Sequence, residues 1–312
     1  MPKFILALAS LFGLAACSGG MAVSPIPSVL PTSRSTAPLK AGVYLNPWTE
    51  SPTTLAALPD LRPGVLRINY PAFPLMTHNV DSKEAERLVG LIEGEIVYAR
   101  SMGALPLIVT TLGTVAPATV TNVTSNAVSV ANYYGNVAKR FPGMAWEIGN
   151  EAEIPSGGSD AALSAAQYAS VFRVHADAIR IFDPTAKIVT AGTSGFHVEW
   201  IRAVLALTNP DAVGVHPYGC APQNYASAVA AIGTKLPVYF TEWGLENISP
   251  QGVFNYFYFA RGVTPVAVLF CLSDRSAEFG SIAGNQPFGL MDVDAVRRPS
   301  YAAAKTAFAH RG

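Results

Sequence analysis

The sequence predicts an α/β chain folded as one (β/α)8 TIM barrel, and two observations predict it. Short, continuous apolar runs recur eight times, and segments of helix length separate them. Continuous rather than alternating runs are what strands covered on both faces look like, because in a parallel sheet each strand has helices on one side and other strands on the other. Eight such units in the space available match the size of that barrel, in which chemically active side chains sit where strands run into the following loops.

The strands are expected at 42–48, 65–70, 107–111, 145–151, 187–191, 213–218, 238–242 and 266–272. Between the second and third, the segment from Asp81 to Met102 has helical periodicity and is followed by Gly103. Between the fourth and fifth, Ala161 to Phe182 is helical, with Ser159-Asp160 as a cap and Pro184 beyond its end. A doubly wound open sheet is the competing architecture. It would bring a glycine-rich dinucleotide fingerprint after the first strand or a phosphate-binding Gly-Lys-Ser, and the sequence has neither.

The chain opens differently. Met1-Pro2-Lys3, an apolar stretch from Phe4 to Leu14 and the ending Leu14-Ala15-Ala16-Cys17 read as an export signal too short to span a bilayer. That ending also resembles a bacterial lipobox, which implies cleavage before Cys17, lipidation of its thiol and a tether to a membrane surface; Ser18 next to it favours the outer membrane. An ordinary cleaved signal is the alternative, and either implies export. Residues 17–40 are rich in Ser, Pro and Thr and read as a spacer, so the organisation is a signal over 1–16, a spacer over 17–40 and the barrel over 41–312. Of the remaining cysteines, Cys220 and Cys271 are not expected to pair.

The chain carries 21 basic and 21 acidic residues, and charged residues make up 13% of it. This gives no electrostatic reason to bind nucleic acid or an acidic polymer, and a neutral ligand fits better. The histidines show no metal-ligand spacing, so neither a metal nor another cofactor is indicated.

Two glutamates end apolar runs of strand type: Glu151 in Trp146-Glu147-Ile148-Gly149-Asn150-Glu151, and Glu242 in Tyr239-Phe240-Thr241-Glu242-Trp243-Gly244. Two carboxyl groups so placed suit cleavage of an acetal, which needs one to protonate the leaving oxygen and another to meet the cationic carbon from the opposite face. Glu147 is a candidate partner for these groups, and Glu153 sits two residues past Glu151.

In their order, Gly149-Asn150-Glu151 on the fourth strand, His216-Pro217-Tyr218 on the sixth and Thr241-Glu242-Trp243-Gly244 on the seventh resemble the clan A glycoside hydrolases, retaining (β/α)8 enzymes. The resemblance covers nearly the whole barrel region. It implies that Glu151 is the acid/base, with its proton affinity raised by a nearby carboxylate, and that Glu242 is the ionised nucleophile. It implies further that Asn150 binds the hydroxyl beside the reacting carbon, that Arg67 of the second strand orients Glu242, and that His216 and Tyr218 touch the nucleophile or the sugar. Trp48, Tyr70, Trp243 and Phe288 offer flat faces for sugar rings.

The chain departs from that pattern in two places. Phe270-Cys271-Leu272 stands where relatives carry a tryptophan platform after the eighth strand, and Ala152 stands where many have proline. The expected partner is a β-linked poly- or oligosaccharide, bound by a barrel expected to be monomeric, whose only expected membrane contact is the Cys17 anchor. Transglycosylation is a variant of the same chemistry. A surface lipoprotein that binds carbohydrate without turnover is the rival reading, and a metal-dependent barrel hydrolase ranks below both.

Overall fold

A computed structural model of the chain describes residues 37–47, 49–76, 81–115, 118–154, 162–274 and 287–309. The export signal, Cys17, most of the spacer, Trp48 and the Ser159-Asp160 cap lie outside the described residues.

The eight strands are β1 (Lys40–Leu45), β2 (Val65–Tyr70), β3 (Leu105–Thr110), β4 (Ala145–Asn150), β5 (Lys187–Ser194), β6 (Val213–His216), β7 (Val238–Phe240) and β8 (Val266–Leu269). Each pairs in parallel with the next, and β8 closes on β1 with Lys40 opposite Val266, so the sheet is a closed barrel in sequence order. Among the described residues the helices are α1 (Pro52–Leu55), α2 (Leu58–Leu61), α3 (Ser82–Ser101), α4 (Val120–Arg140), α5 (Ala165–Phe182), α6 (Val198–Leu205), α7 (Tyr225–Ile232), α8 (Pro250–Ala260) and α9 (Pro299–Ala309). No described helix is long and apolar enough to cross a membrane.

Local chemistry sets the helix starts. Asp81 caps α3 by accepting from the Glu84 amide, and Thr119 caps α4 by accepting from Asn122. α5 begins at Ser164, which forms a reciprocal capping box with Gln167. The helix expected from Ala161 therefore starts four residues later, because this Ser-x-x-Gln pair satisfies the free amides at that point.

Side-chain alternation divides the core in two. One layer fills the space between barrel and helices with residues such as Ile68, Trp146, Ile148 and Phe240. The other fills the barrel interior, with Tyr44, Val65, Leu107, Ala145, Val189, Ala212, Val266 and Val268. Two residues further along β2 and β4 the inward positions change from apolar to polar, to Arg67 and Glu147, and β6 ends in His216, all three buried. Period-two alternation thus stacks a charged layer on top of the apolar barrel core, at the end where the strands meet their loops.

Candidate active site

Arg67 is the centre of that layer. Its guanidinium donates from Nε to Glu147 Oε2 at 2.7 Å, from Nη1 to Glu242 Oε2 at 2.6 Å and from Nη2 to Asn150 Oδ1 at 2.6 Å. It also lies 5.2 Å from the centroid of the Tyr44 ring. A buried guanidinium is tolerable only with compensating acceptors, and two carboxylates and an amide oxygen supply them.

Glu147 has no solvent contact. Its second oxygen, Oε1, accepts from the Gly192 amide at 2.9 Å and from Thr241 Oγ1 at 2.8 Å. Burial works to raise its proton affinity, but the charge of Arg67, followed by the hydrogen bond and charge of His216, outweighs burial and holds the carboxyl down at about 2. Glu147 is therefore a fixed anion that anchors Arg67 to β4, β5 and β7.

Glu151 and Asn150 reach the mouth through a distorted strand end. Gly149 has φ of 82° and an added Cβ there would lie 2.8 Å from Leu112, while Glu151 itself has φ of 44°. A non-glycine residue in the left-handed region is a costly conformation of the kind that collects at functional sites. The Glu151 amide is held by the Gly192 carbonyl at 2.9 Å.

His216 sits between the carboxylates: Nδ1 lies 3.0 Å from Glu151 Oε1, and Nε2 lies 3.7 Å from Glu147 Oε1. Burial pushes its proton affinity down, yet the charge of Glu242 and the bonds to Glu147 and Glu151 prevail and raise it to about 10. The ring is thus an imidazolium. Burial would raise Glu151, but its hydrogen bond to His216, the charge on that ring and the charge of Arg67 bring it below the usual carboxylate range. This corrects the expectation of a raised Glu151: the His216 ring and the Arg67 charge favour its anion over its acid.

Glu242, just past β7, is held at both oxygens, Oε2 by Arg67 and Oε1 by the Tyr218 hydroxyl at 3.0 Å. One ligand-capable atom from each of Glu151, His216 and Glu242 lies within 4.8 Å of the others.

The chain matches no protein-family model and no curated protein sequence. Solved structures do match. A monomeric β-xylosidase from Caulobacter crescentus is 17% identical with a TM-score of 0.67, over 90% of this chain and 71% of that one. A family 39 glycoside hydrolase from the gut symbiont Bacteroides cellulosilyticus is 14% identical with a TM-score of 0.61, over 91% and 66%. An exo-β-1,4-mannosidase from an Opitutaceae bacterium is 15% identical with a TM-score of 0.62, over 91% and 62%. The fold is that of these glycoside hydrolases. This chain spans about two thirds of the length of the structures it matches.

Within this barrel, the expected residues Arg67, Asn150, Glu151, His216, Tyr218 and Glu242 come together at one end. Two others do not. Tyr70 is fully buried, donates its hydroxyl to Glu93 at 2.8 Å and packs edge-on against Tyr133 and Tyr134. Trp243 is 5% exposed and stacks at 4.4 Å on Tyr256 of α8. Neither has a face for a sugar, because each side chain is turned into the layer between barrel and helices. Phe288 is buried against Phe270, and Trp48 lies outside the described residues.

At the end of β8, the partly exposed Phe270 sits 5.0 Å from the Tyr44 ring, so an aromatic does stand where the tryptophan is missing. Thr241 and Gly192 escaped the sequence reading. Thr241 adjoins Glu242, but its link to Glu147 spans three strands and leaves no local signal. Cys220 and Cys271 are not joined in a disulfide.

Proposed function

We propose that the chain is a retaining glycoside hydrolase acting on a β-linked poly- or oligosaccharide, with Glu151 as acid/base and Glu242 as nucleophile. The observation that carries this is the spacing of the two carboxylates, whose nearest oxygens lie within 4.8 Å of each other. Retaining sites hold their carboxyl groups ~5 Å apart, whereas inverting sites leave ~6.5–9.5 Å for a water.

The surroundings divide the roles. Arg67 and Tyr218 hold Glu242 aimed, each occupying one oxygen. Attack by Glu242 on the anomeric carbon breaks the bond to the leaving oxygen, which takes a proton from Glu151. His216, 3.0 Å from Glu151, supplies that proton. Glu242's negative charge is one of the influences that keep the proton on the pair, and forming the glycosyl ester removes that charge and so eases the transfer. The transfer leaves the pair without a proton, and it then takes one from the water that opens the ester and frees Glu242. An acceptor sugar in place of water would make the same chemistry a transglycosylation.

Asn150 at the mouth is suited to the hydroxyl next to the reacting carbon, and Phe270 on Tyr44 supplies an apolar surface for a ring. Export, and attachment of the mature chain to the outer membrane through lipid on Cys17, complete the reading: a catalytic barrel on a spacer.

Product release from a panel of bacterial and plant β-glycans tests it, comparing the protein with its Glu151→Gln and Glu242→Gln variants. Turnover should fall in both by roughly a hundredfold or more. Glycan binding without turnover in the unmodified protein would instead support a carbohydrate-binding lipoprotein.

A further inference from the structure

Two residues beyond Glu151 the chain buries another carboxylate. The Glu153 side chain is 1% exposed, a burial otherwise confined here to carboxylates with strong partners such as Glu147. Its Oε1 accepts from the Ser194 amide at the end of β5 at 2.6 Å and lies 3.4 Å from Nδ1 of His197, the residue before α6. Its Oε2 is buried with no partner among the described residues. Ser194 is also the register partner of His216 on β6, whose ring lies 3.0 Å from Glu151. One residue of β5 therefore links Glu153 to the ring that bonds Glu151.

We propose that Glu153 is a positioning residue for the acid/base: joined through Ser194 to the His216–Glu151 pair and sharing the sign of charge of Glu151, it sets the upper pH limit of turnover. This rests on the glycosidase reading above. The charged groups that face Glu153 are Glu151 on its own loop, His216 of β6 and His197 before α6.

Burial, the largest influence, raises the Glu153 carboxyl to about 7; the Ser194 amide pulls it down, Glu151 pushes it up and His216 pulls it down. Glu153 is thus neutral on the acid side of pH 7 and an anion on the alkaline side. As an anion it is a second negative charge beside Glu151. It strengthens the hold of the Glu151–His216 pair on its proton over the pH range in which the general acid would otherwise be lost.

The experiment is the pH profile of kcat/KM for the protein and its Glu153→Gln variant, on a glycan the protein hydrolyses, with melting temperatures taken alongside. Glutamine keeps an acceptor for the Ser194 amide and removes the charge. The alkaline limb should move to lower pH by roughly one unit, as expected for the loss of a neighbouring buried charge, while the acid limb and melting temperature stay put. Superimposable profiles, or an equal loss at every pH with a lower melting temperature, would overturn the proposal.

If Glu153→Gln does not fold, carboxyl-carbon NMR titration of the unmodified protein decides. Glu151 should respond with a step at the Glu153 midpoint, and a Glu151 curve blind to it overturns the coupling. Absence of turnover in the unmodified protein would sink the glycosidase reading instead, a result separable from an unmoved profile.

Discussion

Replacing Arg67 with methionine would leave Glu147 buried without its main counter-charge. In the native protein Glu147 is held at about 2 against an ordinary 4.5, and it is fully enclosed. A carboxyl displaced that far contributes about 3 kcal/mol. Its native value is depressed, so this stability is fully present above pH 4.5 and is lost as the pH falls toward 2. Breaking a buried ion pair from one side costs about 3–5 kcal/mol, which agrees with the linkage figure. In Arg67→Met, burial dominates and Glu147 takes up a proton at higher pH, so the variant loses least where the carboxyl is already neutral. Urea denaturation should find Arg67→Met about 3–5 kcal/mol less stable at pH 7, with the deficit smaller by about 2 kcal/mol or more at pH 3. A deficit below about 1 kcal/mol at pH 7, or one equal at both pH values, would refute the claim that Arg67 acts chiefly by compensating Glu147.

Three further outcomes follow from the same geometry. His216 is raised from 6.5 to about 10, so its charge stabilises the fold fully below pH 6.5 and ceases to do so as the pH rises through 10; the melting temperature should decline over that interval in the native protein and hold nearly level in His216→Gln, whereas matching declines would refute the assignment. Tyr218→Phe removes the 3.0 Å bond to Glu242 and should lower kcat/KM roughly ten- to a hundredfold with no change in melting temperature, the weight of one hydrogen bond to a charged group; unaltered kinetics would remove Tyr218 from the site. At Gly192 an added Cβ would lie 2.2 Å from His216 Nε2, while at Gly90 in α3 it would meet nothing within 4 Å; Gly192→Ala should therefore lose turnover, Gly90→Ala should gain about 0.5–1 kcal/mol in stability, and an active Gly192→Ala would show the layer to be more yielding than its packing implies.

Much of the barrel was legible because its signals are local. Runs such as Val65 to Tyr70 and Ala145 to Asn150 announce buried parallel strands, and both appear within a residue of where the pattern puts them. The start of α5 was misplaced because Ser159-Asp160 and Ser164 are both acceptable caps, and only the reciprocal bond to Gln167 selects the second. The aromatics were less legible. Tyr70 closes the strand that carries Arg67 and Trp243 adjoins Glu242, but neighbours on a strand point to opposite faces, and both rings enter the outer core.

What the sequence determined by itself is the barrel and the order of the residues along its strand ends, since both follow from hydrophobic period and from which residue closes each run. Which group carries the proton was decided by tertiary structure alone. A carboxyl group takes its proton affinity from the charges within a few ångströms, and the ring that holds Glu151 ionised arrives from β6, 65 residues away in the chain. The same holds for Arg67: its three acceptors, Glu147, Asn150 and Glu242, lie 80 to 175 residues further along the chain, and only closure of the barrel sets them around one guanidinium.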